Sequence, residues 1–181
     1  MFAGSALLDA KKILTAAGVQ SGDKLADFGA GRAGHMVFPA SKIVGDKGFV
    51  YAVDIVPEVV EMLESKRRIF NILNMEVVRG DFEMPGGVKI KDNILDFVLL
   101  VNNMWSLKNA EAAAGEMKRV LKSDGRVLVA DWRRNAQHPA APPQKMRKDA
   151  LQAEAIFLKY GLKKIADIPA GFNHWAILLT K

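Results

Sequence analysis

Three aspartates stand where this sequence could do chemistry. Asp27, Asp54 and Asp81 each follow a short apolar run, and the first opens Asp27-Phe28-Gly29-Ala30-Gly31-Arg32-Ala33-Gly34. Glycines so spaced, between a strand and a helix, allow a sharp turn at Gly29, close approach of a ligand at Gly31 and tight helix packing at Gly34. The helix start beyond Ala30 then offers free N–H groups to an anion. A carboxylate beside the first glycine would repel a pyrophosphate, yet it suits a ligand with an ammonium or sulfonium group. Asp54, followed by Ile55, lies twenty residues after Gly34 and ends FVYAVD. A carboxylate there can accept hydrogen bonds from both hydroxyls of a ribose. Asp81, within Arg79-Gly80-Asp81-Phe82, can accept from an adenine amino group, with Phe82 beside the ring. One Asp after a strand is more often a turn or a helix cap. Three successive strands ending this way point to a ligand.

The elements that would position these residues alternate. Helices are expected over residues 6–17, 33–44, 57–73, 107–121 and 145–159, and strands over 24–28, 48–53, 75–78, 94–101, 125–130, 162–168 and 175–180. The run ILDFVLLV reads as a central strand buried on both faces. Such alternation predicts an α/β fold, a Rossmann-like doubly wound, mostly parallel sheet covered on both faces, in a single domain over residues 1–181. Pro39 conflicts with a helix starting at Ala33, so that helix either begins later, near His35, or kinks. Residues 135–144, NAQHPAAPPQ, carry three prolines and read as a lid or long connection.

In doubly wound sheets ligands bind at the carboxyl ends of the parallel strands. Asn102, Asn103, Met104 and Trp105 follow the fourth strand there, and Asp131, Trp132 and Arg133 the fifth. The turn Gly171-Phe172-Asn173-His174 follows the sixth. His174, Asp131 and His138 are the candidate catalytic proton acceptors. Each also has a local reading: His174 as a hairpin cap, His138 as an exposed loop residue, Asp131 as an ion-pair partner of Arg133 or Arg134. Trp105 and Trp132 suit either the core or an apolar wall for a substrate. His35 reads first as a local helix contact.

Composition narrows the function classes. The 181 residues are 50% hydrophobic and 25% charged, as in an ordinary globular protein. The chain holds no cysteine, which excludes disulfides, thiolate metal sites and cysteine nucleophiles. No apolar run approaches a membrane span, and the first residues lack a basic leader, so a cytoplasmic location is expected. The net charge of +6 falls within residues 132–164, which hold eight basic and two acidic residues. That stretch is either a solvated face or an attraction for an anionic partner, with nucleic acid a possibility that is not favoured.

The stretches LADFGAGRAG, VYAVDI, RGDFEMP, ILDFVLLVNNMW and VLKSDGRVLVADW together resemble class I S-adenosylmethionine-dependent methyltransferases, over roughly residues 5–181. The segment ADWRRNAQHPAAPPQKMR is similar to small members near the ubiquinone/menaquinone-biosynthesis type. The resemblance implies a seven-stranded sheet with an antiparallel last strand and S-adenosylmethionine as cofactor. It gives the methionine part to Asp27, Gly29 and Gly31, the ribose to Asp54 and the adenine to Asp81. Asn102 falls where family members often contact the methyl-donor region. The acceptor stays open, as a small or exposed molecule, with an anionic one favoured by the basic stretch. The Asn-Pro-Pro-Tyr signature of relatives that methylate amino groups and bases is absent, because NNMW stands in its place. Two other readings remain at this stage. A nicotinamide-dependent oxidoreductase shares the glycine loop and the second acid, although Asp27 argues against it. A non-catalytic RNA-binding module would use the basic stretch.

Overall fold

The computed structural model describes residues 8–181. Helix α1 (Ala10–Ala16) leads into strand β1 (Lys24–Phe28), followed by α2 (Val37–Val44), β2 (Phe49–Asp54), α3 (Pro57–Ile69) and β3 (Met75–Arg79). Then come β4 (Leu95–Val101), α4 (Ala110–Val120), β5 (Leu121–Trp132), α5 (Ala150–Lys159), β6 (Lys163–Asp167) and β7 (His174–Thr180). The strands form one seven-stranded sheet in the order β3-β2-β1-β4-β5-β7-β6. All pairings are parallel except those of β7, which runs antiparallel to β5 and β6. The expected architecture is the one observed.

Burial explains the layers. Strand β4 is buried along nearly its whole length, as its unbroken apolar run requires. One side of the sheet packs Ile13, Leu14, Val37, Val44, Val59 and Leu63 from α1, α2 and α3. The other packs Ala113, Met117, Val120, Ala153 and Phe157 from α4 and α5. The chain leaves β1 for β2 on one side, while β4 takes β1's other edge. That reversal opens a crevice beyond the carboxyl ends of β1 and β4, where such sheets hold ligands.

Several boundaries move from expectation, each for a local reason. Helix α1 starts at Ala10 because Asp9 caps it, accepting from the Lys12 N–H at 3.0 Å; residues 6 and 7 of the expected helix lie outside the described residues. Helix α2 starts at Val37, not Ala33, because residues 29–36 form the glycine turn. Pro39 therefore falls in the first helical turn, where its missing N–H has no intrahelical partner to lose. Helix α3 stops at Ile69, and Asn71 with φ of 49° turns the chain away before Leu73. Helix α5 starts at Ala150, not Lys145, because Asp149 and Gln152 form a reciprocal capping box; residues 144–146 make a single 3-10 turn. Strand β5 runs on through Asp131 and Trp132, which pair with Trp175 and His174. His174 is thus the first residue of a strand rather than part of a turn.

Candidate functional site

The glycine turn is built from backbone that other residues rarely adopt. Gly29, Gly31 and Gly34 have φ of 84°, 66° and 64°. The N–H groups of Gly29 and Ala30 both donate to the Val53 carbonyl, which ties the turn to β2. A methyl group on Gly29 would strike the Asn103 side chain, and one on Gly34 would strike the Phe38 ring. Around Gly31 the space is open. The Gly29→Ala variant is therefore expected to lose about 1–2 kcal/mol of stability from its backbone conformation alone, measured by urea unfolding.

Asn103 is a residue whose role the sequence did not disclose. Its amide nitrogen donates to the carbonyls of Phe28, Gly29 and Val101 at 2.9–3.1 Å. One side chain thus straps the turn after β1 to the end of β4. Lys66 does the same from α3, donating to the Arg32 carbonyl at 2.8 Å. The only sequence signal for the first strap was a polar pair after an apolar strand.

The three aspartates take different environments. Asp27 is 2% exposed within β1, and burial, with the Asp54 carboxylate adding repulsion, raises its pKa to about 7. Among the described residues no cation meets it, and a positively charged ligand would supply one. Asp54 holds the turn itself: its carboxylate accepts from the Gly31 N–H at 3.0 Å and the Val56 N–H at 3.1 Å. Ile55 beside it is more than half exposed. Asp81 accepts from the Glu83 N–H at 2.8 Å, so it also carries the turn expected of a lone Asp. Gly80 passes so close to the Gly87 carbonyl that no side chain fits. The Phe82 ring stacks on Phe28 with centroids 5.3 Å apart, fastening the Asp81 loop over β1.

Across the crevice, Asn102 has φ of 59° and donates its N–H to the Ala130 carbonyl. Its side-chain oxygen is buried without a hydrogen-bond partner among the described residues. An orphaned acceptor of this kind is open to a donor from water or a ligand. Next to it lies a cavity of about 440 Å³ lined by Asn102, Trp105, Trp132, Ala140, Pro142 and Pro143. Its walls are the loop after β4 and the proline segment expected to act as a lid.

The three candidate proton acceptors separate here. Asp131 does not pair with Arg133 or Arg134. It is fully buried, accepts from the N–H groups of Met104 and Trp132 at 2.7 and 2.6 Å, and burial raises its pKa to about 6. His174 is also fully buried, and neither ring nitrogen has a partner among the described residues. Burial, with the nearby charges of His35, His138 and Arg133 adding to it, lowers its pKa to about 4. Its ring lies 4.2 Å from that of Trp132, and His138 lies 5.6 Å from the same indole. His138 and His174 thus meet the same indole at the end of β5, a convergence hidden by their wide spacing. His138 also caps its own turn, accepting from the Ala140 N–H. His35 meets the Leu8 carbonyl, 27 residues away, rather than making the local helix contact expected of it.

Half of the eight basic residues of the stretch are paired internally. Arg147 and Lys148 donate to backbone carbonyls. Arg134 meets Asp149 and Gln152, and Lys164 meets Glu154 and Asp167.

A reversed parallel sheet, a glycine turn and a buried carboxylate awaiting a cation define the class: a Rossmann-like protein that holds a positively charged nucleoside, as class I S-adenosylmethionine-dependent methyltransferases do. Residues 26–129, more than half the chain, match the family described as "Methyltransferase domain", and the chain belongs to that family. A ubiquinone/menaquinone biosynthesis C-methyltransferase of Cronobacter sakazakii is 31% identical over 123 residues, covering 67% of this chain and 47% of that protein. The chain spans about half the length of the curated relatives it matches. In fold it is similar to a SAM-dependent methyltransferase from Aquifex aeolicus, with a TM-score of 0.87 and 23% identity, covering 99% of this chain and 98% of that one. Aeropyrum pernix fibrillarin, solved with natively bound S-adenosyl-L-methionine, superposes with a TM-score of 0.70 at 19% identity, over 95% of this chain and 76% of that one. S-adenosylmethionine is the cofactor of the family, and the unpaired Asp27 and orphaned Asn102 oxygen fit its cationic end.

Proposed function

We propose that the chain transfers a methyl group from S-adenosylmethionine to a small, flat acceptor held between the loop after β4 and the 135–144 segment. The observation that carries this reading is the aromatic and proline-lined cavity beside the orphaned Asn102 oxygen, at the end of the sheet where the glycine turn lies. Asp27 and Asn102 would hold the charged amino-acid end of the cofactor, Asp54 its ribose, and Asp81 with Phe82 its base. The cofactor supplies an activated methyl group, so this chain's residues need to align, exclude water and remove a proton. His174 is the first candidate for the last task, because it stays neutral at physiological pH with both ring nitrogens free, and His138 is the second. Asp131 already spends its carboxylate on backbone N–H groups and serves better as an anchor.

Indole faces and proline rings suit a planar, mainly apolar acceptor. The relatives named as quinone-biosynthesis C-methyltransferases point the same way, toward carbon on a ring. An anionic portion of the acceptor would meet Arg133 and Lys145, which are exposed.

S-adenosylhomocysteine at about 100 times its dissociation constant is expected to stabilise the protein by about 2.7 kcal/mol, a melting shift of about 5–10 °C. No shift with it, and a shift with NAD, would move the chain to the oxidoreductases. With binding established, a panel of phenols, quinols and aliphatic amines is assayed for S-adenosylhomocysteine release. Turnover of the amines alone would overturn the flat-acceptor reading.

A further inference from the structure

The cavity beside Asn102 has two walls, and the side chains of residues 147 and 148 brace both. The lid segment contains Pro139, Pro142 and Pro143, which have no N–H to donate. Its carbonyl groups therefore need donors from elsewhere. Arg147 supplies them. Its guanidinium donates to the carbonyls of Pro142 at 2.7 Å, Ala136 at 2.8 Å, Arg134 at 3.0 Å and Arg133 at 3.3 Å. These acceptors span both ends of the lid, so one planar, multi-donor group gathers it into a closed loop.

The other wall carries Asn102 and Trp105, with Met104 between them. Met104 is gripped at both backbone groups. Its N–H donates to Asp131, and its carbonyl accepts from the Lys148 ammonium at 2.6 Å. The Lys148 backbone is itself fixed, because its carbonyl accepts from the Trp175 indole at 2.9 Å. The backbone at Arg147 is extended, with φ of −74° and ψ of 131°. Consecutive side chains on extended backbone point to opposite sides. Arg147 thus reaches the lid while Lys148 reaches the loop after β4.

We infer that Arg147 and Lys148 are positioning residues that together set the separation of the two walls and so determine which acceptors fit. This rests on the acceptor occupying that cavity, but the wall-setting role is measurable without any acceptor. Their charges serve this clamp rather than the attraction of an anion.

The test compares the wild type with Arg147→Ala, Arg147→Lys and Lys148→Met in hydrogen exchange and in titration with S-adenosylhomocysteine. Arg147→Ala is expected to speed exchange of lid amides such as those of Ala136 and Ala141 about tenfold or more, since three to four charge-assisted bonds are lost. Arg147→Lys, with no planar fork, is expected to behave like the alanine variant. Methylguanidinium added to Arg147→Ala should restore slow exchange. Lys148→Met should speed exchange around residues 102–106 and leave the lid slow. Affinity for S-adenosylhomocysteine should stay within about twofold in both Arg147 variants, because the Arg147 side chain bonds only to residues 133–142 and touches neither the glycine turn nor the loop after β4. Unchanged lid exchange in Arg147→Ala, or full retention by Arg147→Lys, would overturn the clamp. So would a loss of cofactor affinity in step with lid opening. Failure to methylate any acceptor would count against the proposed function and leave these readouts intact.

Discussion

Asp27→Asn will weaken cofactor binding most at pH 8 and least near pH 6, because the wild-type carboxylate gains its charge across that interval. The folded pKa of about 7 lies far above the ordinary value near 3.8. In the absence of ligand the folded protein therefore holds a proton that the unfolded chain has released. Stability from this group is present at low pH and falls as the pH rises from about 4 to about 7, then levels. A cationic ligand reverses the preference by stabilising the charged form, so wild-type affinity should climb with pH through about 7. Calorimetry near pH 6.5 should register proton release on binding of S-adenosylmethionine. The asparagine variant should show neither the climb nor the release, and without ligand it should melt above the wild type at pH 8. His174 titrates in the opposite sense, and its lowered pKa adds stability as the pH rises from about 4 to 6.5. Comparing the two proteins at each pH cancels that contribution. A wild-type affinity flat from pH 6 to 8 would remove Asp27 from contact with the cation.

Asp54→Ala is expected to cost about 10- to 100-fold in cofactor affinity, since each hydrogen bond to a carboxylate contributes about 1.5–3 kcal/mol. Part of that loss will come through the glycine turn, because the same carboxylate holds the Gly31 N–H. Asp54→Asn separates the contributions. It keeps an oxygen for one backbone N–H while losing the charge that would favour two ribose hydroxyls. If both variants fold and bind S-adenosylhomocysteine as the wild type does, Asp54 has no part in the site.

What could be read from the sequence follows physical range. The glycine turn, its aspartates and the order of strands depend on neighbours within a few residues or on regular periodicity, and these were legible. The start of α2 was ambiguous because Pro39 is harmless in a first turn and disruptive further in. The start of α5 was misplaced because helical periodicity extends past Asp149, while the capping box that stops it lies in side-chain geometry. Asp131 reads from the sequence either as a proton acceptor or as an ion-pair partner of its adjacent basic neighbours; extension of β5 buries it and gives it backbone donors instead of those cations. Asn103, Arg147 and Lys148 act on carbonyl groups far along the chain. Backbone acceptors are present at every residue, so no spacing in the sequence marks which ones will be used.

The family match ends at Val129, only a few residues before the lid begins. Beyond it lie Trp132 and the lid, which with the short loop after β4 line the cavity, and then Arg147 and Lys148, which bond to those walls. The protein is in this sense a chassis with an interchangeable fitting. Residues 132–148 enter and leave the sheet at neighbouring points, since Trp132 pairs with His174 and Lys148 bonds Trp175 on that same strand. A segment anchored so locally is a natural unit for transplantation. Under the proposed function, exchanging it between relatives is expected to change the acceptor while cofactor binding is kept.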